Sequence, residues 1–209
     1  MYMMLMLAKR GAELNALVTE NQWNKRMSTI PVDLYGKTVL VVGFGRIGTR
    51  SAKRCQAMEM NVLVYDPYKP AAEIKAAGCE PVANLDEGLA KADFVTIHCP
   101  KTPETVGMFN AARLARMKPT AYLVNTARGP VVDTAALARA LHAGEIAGAA
   151  LDVFENEPQI HPDLSKLENV VLSPHLGSAT REARTAMADL AVSNVLAVLG
   201  GQPPLTPIN

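Results

Sequence analysis

The chain is poor in cysteine: Cys55, Cys79 and Cys99 are the only three in 209 residues, and no two stand in a C-x-x-C pair. An odd count without paired spacing argues against a disulfide framework and against a zinc site, and it fits a reducing compartment, the cytoplasm. Each cysteine is expected to be a small buried apolar side chain, and no metal site is expected. An excess of one charge is also missing, since 21 Lys and Arg face 20 Asp and Glu, and no block of like charges occurs. That leaves no electrostatic footprint for nucleic acid or for an anionic membrane. Nor is there a long hydrophobic run. The apolar opening, Met1–Ala8, is far short of the roughly 20 residues of a membrane span. Lys9 and Arg10 follow it, whereas a signal peptide carries its positive residues first. Because Met3, Met4, Leu5, Met6 and Leu7 are apolar on all sides, the segment is expected to be a helix with most of its surface covered. No internal repeat and no low-complexity linker interrupts the chain.

What is present is an ordinary globular composition, 49% hydrophobic and 20% charged, with length for one sizeable domain and a little more. Strand and helix patterns alternate. Thr38–Val42, Asn61–Tyr65, Phe94–His98, Ala121–Asn125, Ala147–Leu151 and Val170–Leu172 read as strands. Between them, Ile47 to about Glu59, Ile74–Ala77, Leu85–Ala92, Ala111–Met117 and Thr134–Ala143 read as helices, and Thr180–Leu199 follows as a long one. Asn84 and Asp133 are expected caps, and Gly78 and Gly144 are stops. This alternation predicts an α/β fold, a Rossmann-like doubly wound parallel sheet of about six or seven strands, with helices on both faces. Residues 1–35 and the C-terminal helix lie outside the repeating pattern. The expected division is 1–35, a helix and linker; 36–178, the Rossmann domain; and 179–209, a helix and tail.

Gly43-Phe44-Gly45-Arg46-Ile47-Gly48 is a G-x-G-x-x-G turn between the first strand and the first helix of this pattern. Gly43 permits the tight turn, Gly45 lets backbone approach a pyrophosphate, and Gly48 lets helix and strand pack closely. The helix start, with Arg46 and Ile47, offers free N–H groups and a positive dipole end to phosphate. Asp66, at the end of the second strand, is 18 positions after Gly48, against an expected spacing of about 20. Its carboxylate can accept both ribose hydroxyls and opposes a 2′-phosphate, so NAD is expected over NADP; the nearby Lys69 blurs that preference.

Three further segments carry a family resemblance. Val124-Asn125-Thr126-Ala127-Arg128-Gly129-Pro130-Val131-Val132-Asp133, Ala150-Leu151-Asp152-Val153-Phe154-Glu155-Asn156-Glu157-Pro158 and Ser173-Pro174-His175-Leu176-Gly177-Ser178-Ala179-Thr180 follow the glycine turn and Asp66 in that order. They resemble the signatures of the D-2-hydroxyacid dehydrogenases, and the Val64–Tyr68 stretch with His98-Cys99-Pro100 is similar to the family's phosphoglycerate dehydrogenase branch. The resemblance implies an NAD-dependent oxidoreductase interconverting 2-keto acids and D-2-hydroxy acids, normally a homodimer with two Rossmann-like domains. It implies that Arg128 holds the substrate carboxylate and keto oxygen, that His175 is the acid–base group and that Glu157 is its partner. It places Thr126, Ala127, Asp152, His175, Gly177 and Ser178 about the nicotinamide, and Pro100 and Thr105 beside the cofactor.

The chemistry asks for these residue types. An imidazole titrates near neutral pH and can give and take a proton; a neighbouring carboxylate favours its charged form; a guanidinium grips a carboxylate through two parallel hydrogen bonds. His98, His142 and His161 stand in no such frame and are expected to be structural or solvated. Pro130 and Thr134 depart from the family pattern without removing a group the mechanism needs. Family members carry a substantial segment ahead of the point where this chain begins, so residues 1–35 are expected to be a remnant of an incomplete substrate and dimerisation region. A second class of function also stays open, an NAD(H)-binding module without turnover, such as a nucleotide sensor or corepressor.

Overall fold

The computed structural model describes residues 1–28 and 30–207. Thr29, Ile208 and Asn209, which fall within the expected terminal segments, lie outside the described residues. The chain divides into two compact units, Met1–Pro174 and His175–Asn209.

The first unit is built on a seven-stranded sheet, β1 (Thr38–Val42), β2 (Asn61–Tyr65), β3 (Glu80–Pro81), β4 (Phe94–Ile97), β5 (Tyr122–Asn125), β6 (Gly148–Leu151) and β7 (Val170–Leu172). All neighbouring pairs are parallel, in the order β3-β2-β1-β4-β5-β6-β7. The order reverses direction between β1 and β4, which makes the crevice at their carboxyl ends the switch point of a doubly wound sheet.

Period-two alternation sorts the strand residues into two buried faces. Leu40, Val42, Val95, Ile97 and Leu123 face one core, completed by α5 (Leu85–Lys91), α6 (Ala111–Leu114) and α7 (Thr134–His142). Val39, Val41, Val62, Val64, Phe94 and Val124 face the other, completed by α1 (Tyr2–Lys9), α3 (Arg46–Ala57) and α4 (Ala71–Ala76). Right-handed crossovers account for this split, because the chain builds outward from β1 in opposite directions in its two halves. On α3's side they leave the surface over β5, β6 and β7 without a crossover helix, and α1 occupies it with Met3, Met4, Leu7 and Ala8 buried. The expected cover of the apolar opening is therefore the protein's own sheet, while Tyr2 remains 68% exposed.

The capping signals correspond to observed bonds. Asn84 accepts from Asp86 N–H at 2.8 Å, and Asp133 accepts from Ala136 N–H at 2.8 Å. The helix expected to reach Met117 ends at Leu114 and finishes as a turn before Pro119. Besides short 3-10 turns, one α-helix and one strand among the described residues stand beyond the expected pattern. The helix α2 (Gly11–Thr19) follows α1 across Arg10, which adopts the left-handed conformation at φ 48°. The strand β3 is two residues long and ends on Pro81, which a sheet tolerates at an edge.

The second unit contains α8 (Arg181–Leu199), capped by the Thr180 hydroxyl, which accepts from Ala183 N–H at 3.1 Å. None of the α8 residues is buried, and Met187, Val192, Val195 and Leu196 are exposed. The tail is tied back to α8 by Asn194, whose side chain accepts from Thr206 N–H at 3.1 Å and donates to its hydroxyl at 3.0 Å.

Candidate functional site: a dinucleotide cleft at the strand ends

The glycine turn leaves β1 at the switch point. Gly43 has φ 93° and lies so close to β4's outgoing chain that a Cβ there meets Cys99 N at 2.7 Å. Gly48 is fixed by proximity: a Cβ there stands 1.9 Å from the Gly43 carbonyl oxygen, so only glycine lets α3 sit this close under the turn. Around Gly45 the space is open, with nothing within 4 Å of a Cβ position. The three glycines thus divide into two that hold the turn tight and one that leaves a free approach. Between them Phe44 is 1% exposed and anchors the turn in the core. Arg46 and Ile47 open α3 on the exposed side, Ile47 at 66% exposure.

Asp66 is bound into this turn. Its Oδ2 accepts from Phe44 N–H at 2.6 Å and its Oδ1 from Tyr68 N–H at 2.9 Å. A carboxylate has about four acceptor positions, so each oxygen keeps one for a ligand. Lys69, the cation that blurred the cofactor preference, is engaged by Glu73 at 2.8 Å.

A cavity of about 250 Å³ lies at these strand ends, with Gly43, Gly45, Asp66, Pro100 and Thr105 in its wall. Thr105 shapes its rim, donating to Pro100 O at 2.7 Å and accepting from Thr102 N–H at 2.8 Å. His98, Cys99 and Glu104 also line it, three residues not expected there. Burial pushes His98 down to about 4 and the Cys99 thiol up to about 11, so both are neutral at pH 7. His98 Nε2 and the Thr96 hydroxyl share a hydrogen bond of 3.0 Å. With His98 neutral and no Lys or Arg in its wall, the cavity carries only the carboxylates Asp66 and Glu104 as charges.

A second turn leaves β5. Asn125 is 1% exposed and locks it from inside: its Oδ1 accepts from Ala127 N–H and its Nδ2 donates to Arg128 O, each at 3.0 Å. Thr126, Ala127 and Arg128 are thereby held in one conformation, with Arg128 exposed and one of its N–H groups donating to Ala127 O at 2.6 Å. Gly129 then packs backbone to backbone against the loop after β6, where a Cβ meets Phe154 C at 1.9 Å. On that loop Glu157 Oε1 accepts from Phe154 N–H at 3.0 Å. Arg128 and Glu157 are thus carried by two loops clamped together at Gly129. Asp152 is 3% exposed at the end of β6, and its N–H bonds Asn125 O at 3.0 Å.

His175, Gly177 and Ser178 belong to the second unit, all three exposed. His175 has φ 56°, a conformation few residues other than glycine adopt. Asn125, Phe44 and Gly129 are the positioning residues that residue-type reasoning did not single out. The signal for each is tertiary: a buried amide, a core anchor and a backbone contact.

An open glycine turn at a switch point, a helix start behind it and a carboxylate at the end of β2 define a dinucleotide-binding domain. The chain belongs to the D-isomer specific 2-hydroxyacid dehydrogenase NAD-binding domain family, whose pattern it matches over residues 1–177. It is 46% identical to a glyoxylate reductase of Thermofilum pendens, over 99% of this chain and 62% of that protein. It is 42% identical to a D-3-phosphoglycerate dehydrogenase of Synechocystis, over 99% of this chain and 37% of that one. Among solved structures it superposes on D-lactate dehydrogenase with NAD+ from Lactobacillus jensenii with a TM-score of 0.87 and 30% identity, covering 100% of this chain and 66% of that one. The chain therefore spans less than two thirds of the length of these relatives. Its residues fit the cofactor of the family: the one open glycine faces free space, and the cavity wall supplies a carboxylate with acceptor positions to spare.

Among the described residues, no group of three or more His, Cys, Asp or Glu is placed to hold a metal ion. No described helix is long and apolar enough to cross a membrane.

Proposed function

We propose that this chain is the cofactor-binding part of an NAD-dependent dehydrogenase that interconverts a 2-keto acid and a D-2-hydroxy acid. The observation that carries the reading is the clamped pair of loops at the ends of β5 and β6. Asn125 and Gly129 fix the turn bearing Arg128 against the loop bearing Glu157, on the same sheet whose other half forms the cofactor cleft.

The roles follow from the groups. Asp66 accepts the ribose hydroxyls with its remaining lone pairs, and the negative wall of the cleft opposes a 2′-phosphate. The first turn of α3, with Gly45, Arg46 and Ile47, faces the pyrophosphate, and Pro100 and Thr105 border the cofactor. Thr126, Ala127, Asp152, Gly177 and Ser178 line the nicotinamide end. When bound, the nicotinamide supplies or accepts the hydride. Arg128 holds the substrate carboxylate through two parallel hydrogen bonds and so orients the keto carbon. In reduction His175 delivers a proton to the oxygen that becomes the hydroxyl, and in oxidation it removes that proton. Glu157 favours the imidazolium form and supports that exchange. The working assembly in this reading is a homodimer in the cytoplasm, and residues 1–35 are what the chain holds of the region that joins substrate domain to partner.

The test is NADH fluorescence titration of the 209-residue chain, with turnover measured on glyoxylate, hydroxypyruvate and 3-phosphohydroxypyruvate. Saturable NADH binding, with turnover lost by a factor of about 1,000 or more in Arg128→Ala, supports the whole reading. Binding without turnover on any of the three acids favours the sensor-like alternative for this chain. Absence of NADH binding overturns both.

A further inference from the structure

The first unit carries a second cavity, of about 730 Å³, which shares no lining residue with the cofactor cleft. One wall is α7, contributing Ala135, Ala138, Arg139 and His142. Their spacing puts them on a single stripe of the helix. The opposite wall is the segment before β7, contributing His161, Asp163, Lys166 and Leu167. The two alanines and Leu167 give an apolar floor, and the small side chains leave the space open. The rim is rich in nitrogen: a guanidinium, an ammonium and two imidazoles.

The single carboxylate in the lining, Asp163, is already matched. Lys166 Nζ lies 3.1 Å from its Oδ1, and its backbone N–H donates to His161 Nδ1 at 3.3 Å. Arg139 and His142 have no side-chain hydrogen bond or ion pair among the described residues. Both stand in the last turn of α7, where a cation also offsets the negative end of the helix dipole. That accounts for basic residues on the helix. It does not account for a separate segment presenting a lysine and a histidine to the same cavity over an alanine floor.

We propose that this cavity is a binding site for a small multivalent oxyanion, a phosphate or the carboxylates of an organic acid. Arg139 supplies the planar donor fork suited to either group. His142 and His161 add imidazole N–H donors, Lys166 adds an ammonium that it shares with Asp163, and an organic ligand lays its carbon skeleton on Ala135 and Ala138. The site is independent of the cofactor reading, so NADH binding serves as the internal control.

The experiment follows the imidazole resonances of the four histidines in the 209-residue chain by NMR, as inorganic phosphate or citrate is added at constant ionic strength. The expected result is saturable movement of His142 and His161 and none of His98. In Arg139→Ala the apparent dissociation constant should rise about fivefold or more while NADH affinity is unchanged. Should that variant fail to fold, Lys166→Ala carries the same expectation. Saturation by phosphate assigns a compact ligand, and saturation by citrate alone assigns a longer acid spanning the floor; either supports the site. Shifts that stay linear in anion concentration, or saturation indifferent to the loss of the cation, overturn it.

Discussion

Two turns at the carboxyl ends of the sheet solve the same steric problem at different ranges. At β1 the turn closes on its own helix, with Gly48 against the Gly43 carbonyl five residues back. At β5 the turn closes on a distant loop, with Gly129 against Phe154, 25 residues on. In both, backbone meets backbone where a Cβ would lie 1.9 Å from its neighbour. The first contact shapes a ligand cradle from one contiguous segment and is visible as a motif. The second brings together the loops that carry Arg128 and Glu157, and nothing local announces it. Cofactor binding is thus a property of the near contact, and the Arg128–Glu157 arrangement a property of the far one.

Breaking the far contact should have the largest effect. Gly129→Ala puts a methyl group into the Phe154–Glu155 backbone, which no rotamer change relieves. Overpacking usually costs about 1–3 kcal/mol, and this variant is expected at or above the top of that range in denaturant unfolding. Under conditions where it stays folded, NADH binding should remain within about threefold while turnover is lost. Equal loss of both would show that the two turns are one unit. Gly48→Ala is the converse: α3 must move off the glycine turn, and NADH affinity should fall about tenfold or more. An unchanged titration curve would mean that the near contact does not shape the cradle.

Asn125→Ala sharpens the comparison inside the second turn. It removes both bonds that lock Ala127 and Arg128 and leaves their backbone groups without partners, at a cost of about 1–3 kcal/mol. kcat/KM should drop with little change in NADH affinity, and a variant with wild-type kinetics would relieve Asn125 of any positioning role.

The effect that vanishes at neutral pH and grows only in acid is a pH dependence on the cofactor side. His98 has its folded-state pKa pushed down to about 4 by burial, against an ordinary value near 6.5. The unfolded chain therefore takes up a proton that folded His98 refuses. Stability from this group is complete above about pH 6.5 and is lost as pH falls toward 4, by up to about 3 kcal/mol across the window. Thermal melts of wild type and His98→Gln from pH 7.5 to 4.5 check it, because carboxylate effects common to both cancel. The variant should show the shallower acid loss, and parallel curves would contradict a buried neutral imidazole.

Much of this molecule can be read locally. Thr38–Val42, Asn61–Tyr65 and Val170–Leu172 form strands over the expected bounds, and Asn84 and Asp133 cap the helices they precede. A β-branched run is recognisable without neighbours, and a cap acts within four residues. The elements that escaped lack such marks. Strand β3 is two residues ending on a proline and exists only because β2 is there to pair with it. Helix α2 begins at a glycine with no side-chain cap, after a left-handed arginine that separates it from α1. In the site, Gly43, Gly45, Gly48 and Asp66 are legible because a phosphate cradle is one continuous stretch with a carboxylate at a set distance. That Asp66 also fastens the turn through Phe44 N–H is not legible, since it depends on where β2 ends beside β1.

By itself, then, the sequence determined the alternation of strand and helix, the class of sheet and the dinucleotide turn, because each depends on contacts within a few residues or on a periodicity along one element. The tertiary structure decided that α1 covers the sheet left bare by the crossovers, that Gly129 joins the Arg128 and Glu157 loops, and that neutral His98 and Cys99 line the cleft. These depend on backbone atoms far apart in the chain meeting at van der Waals distance, which composition and spacing do not encode.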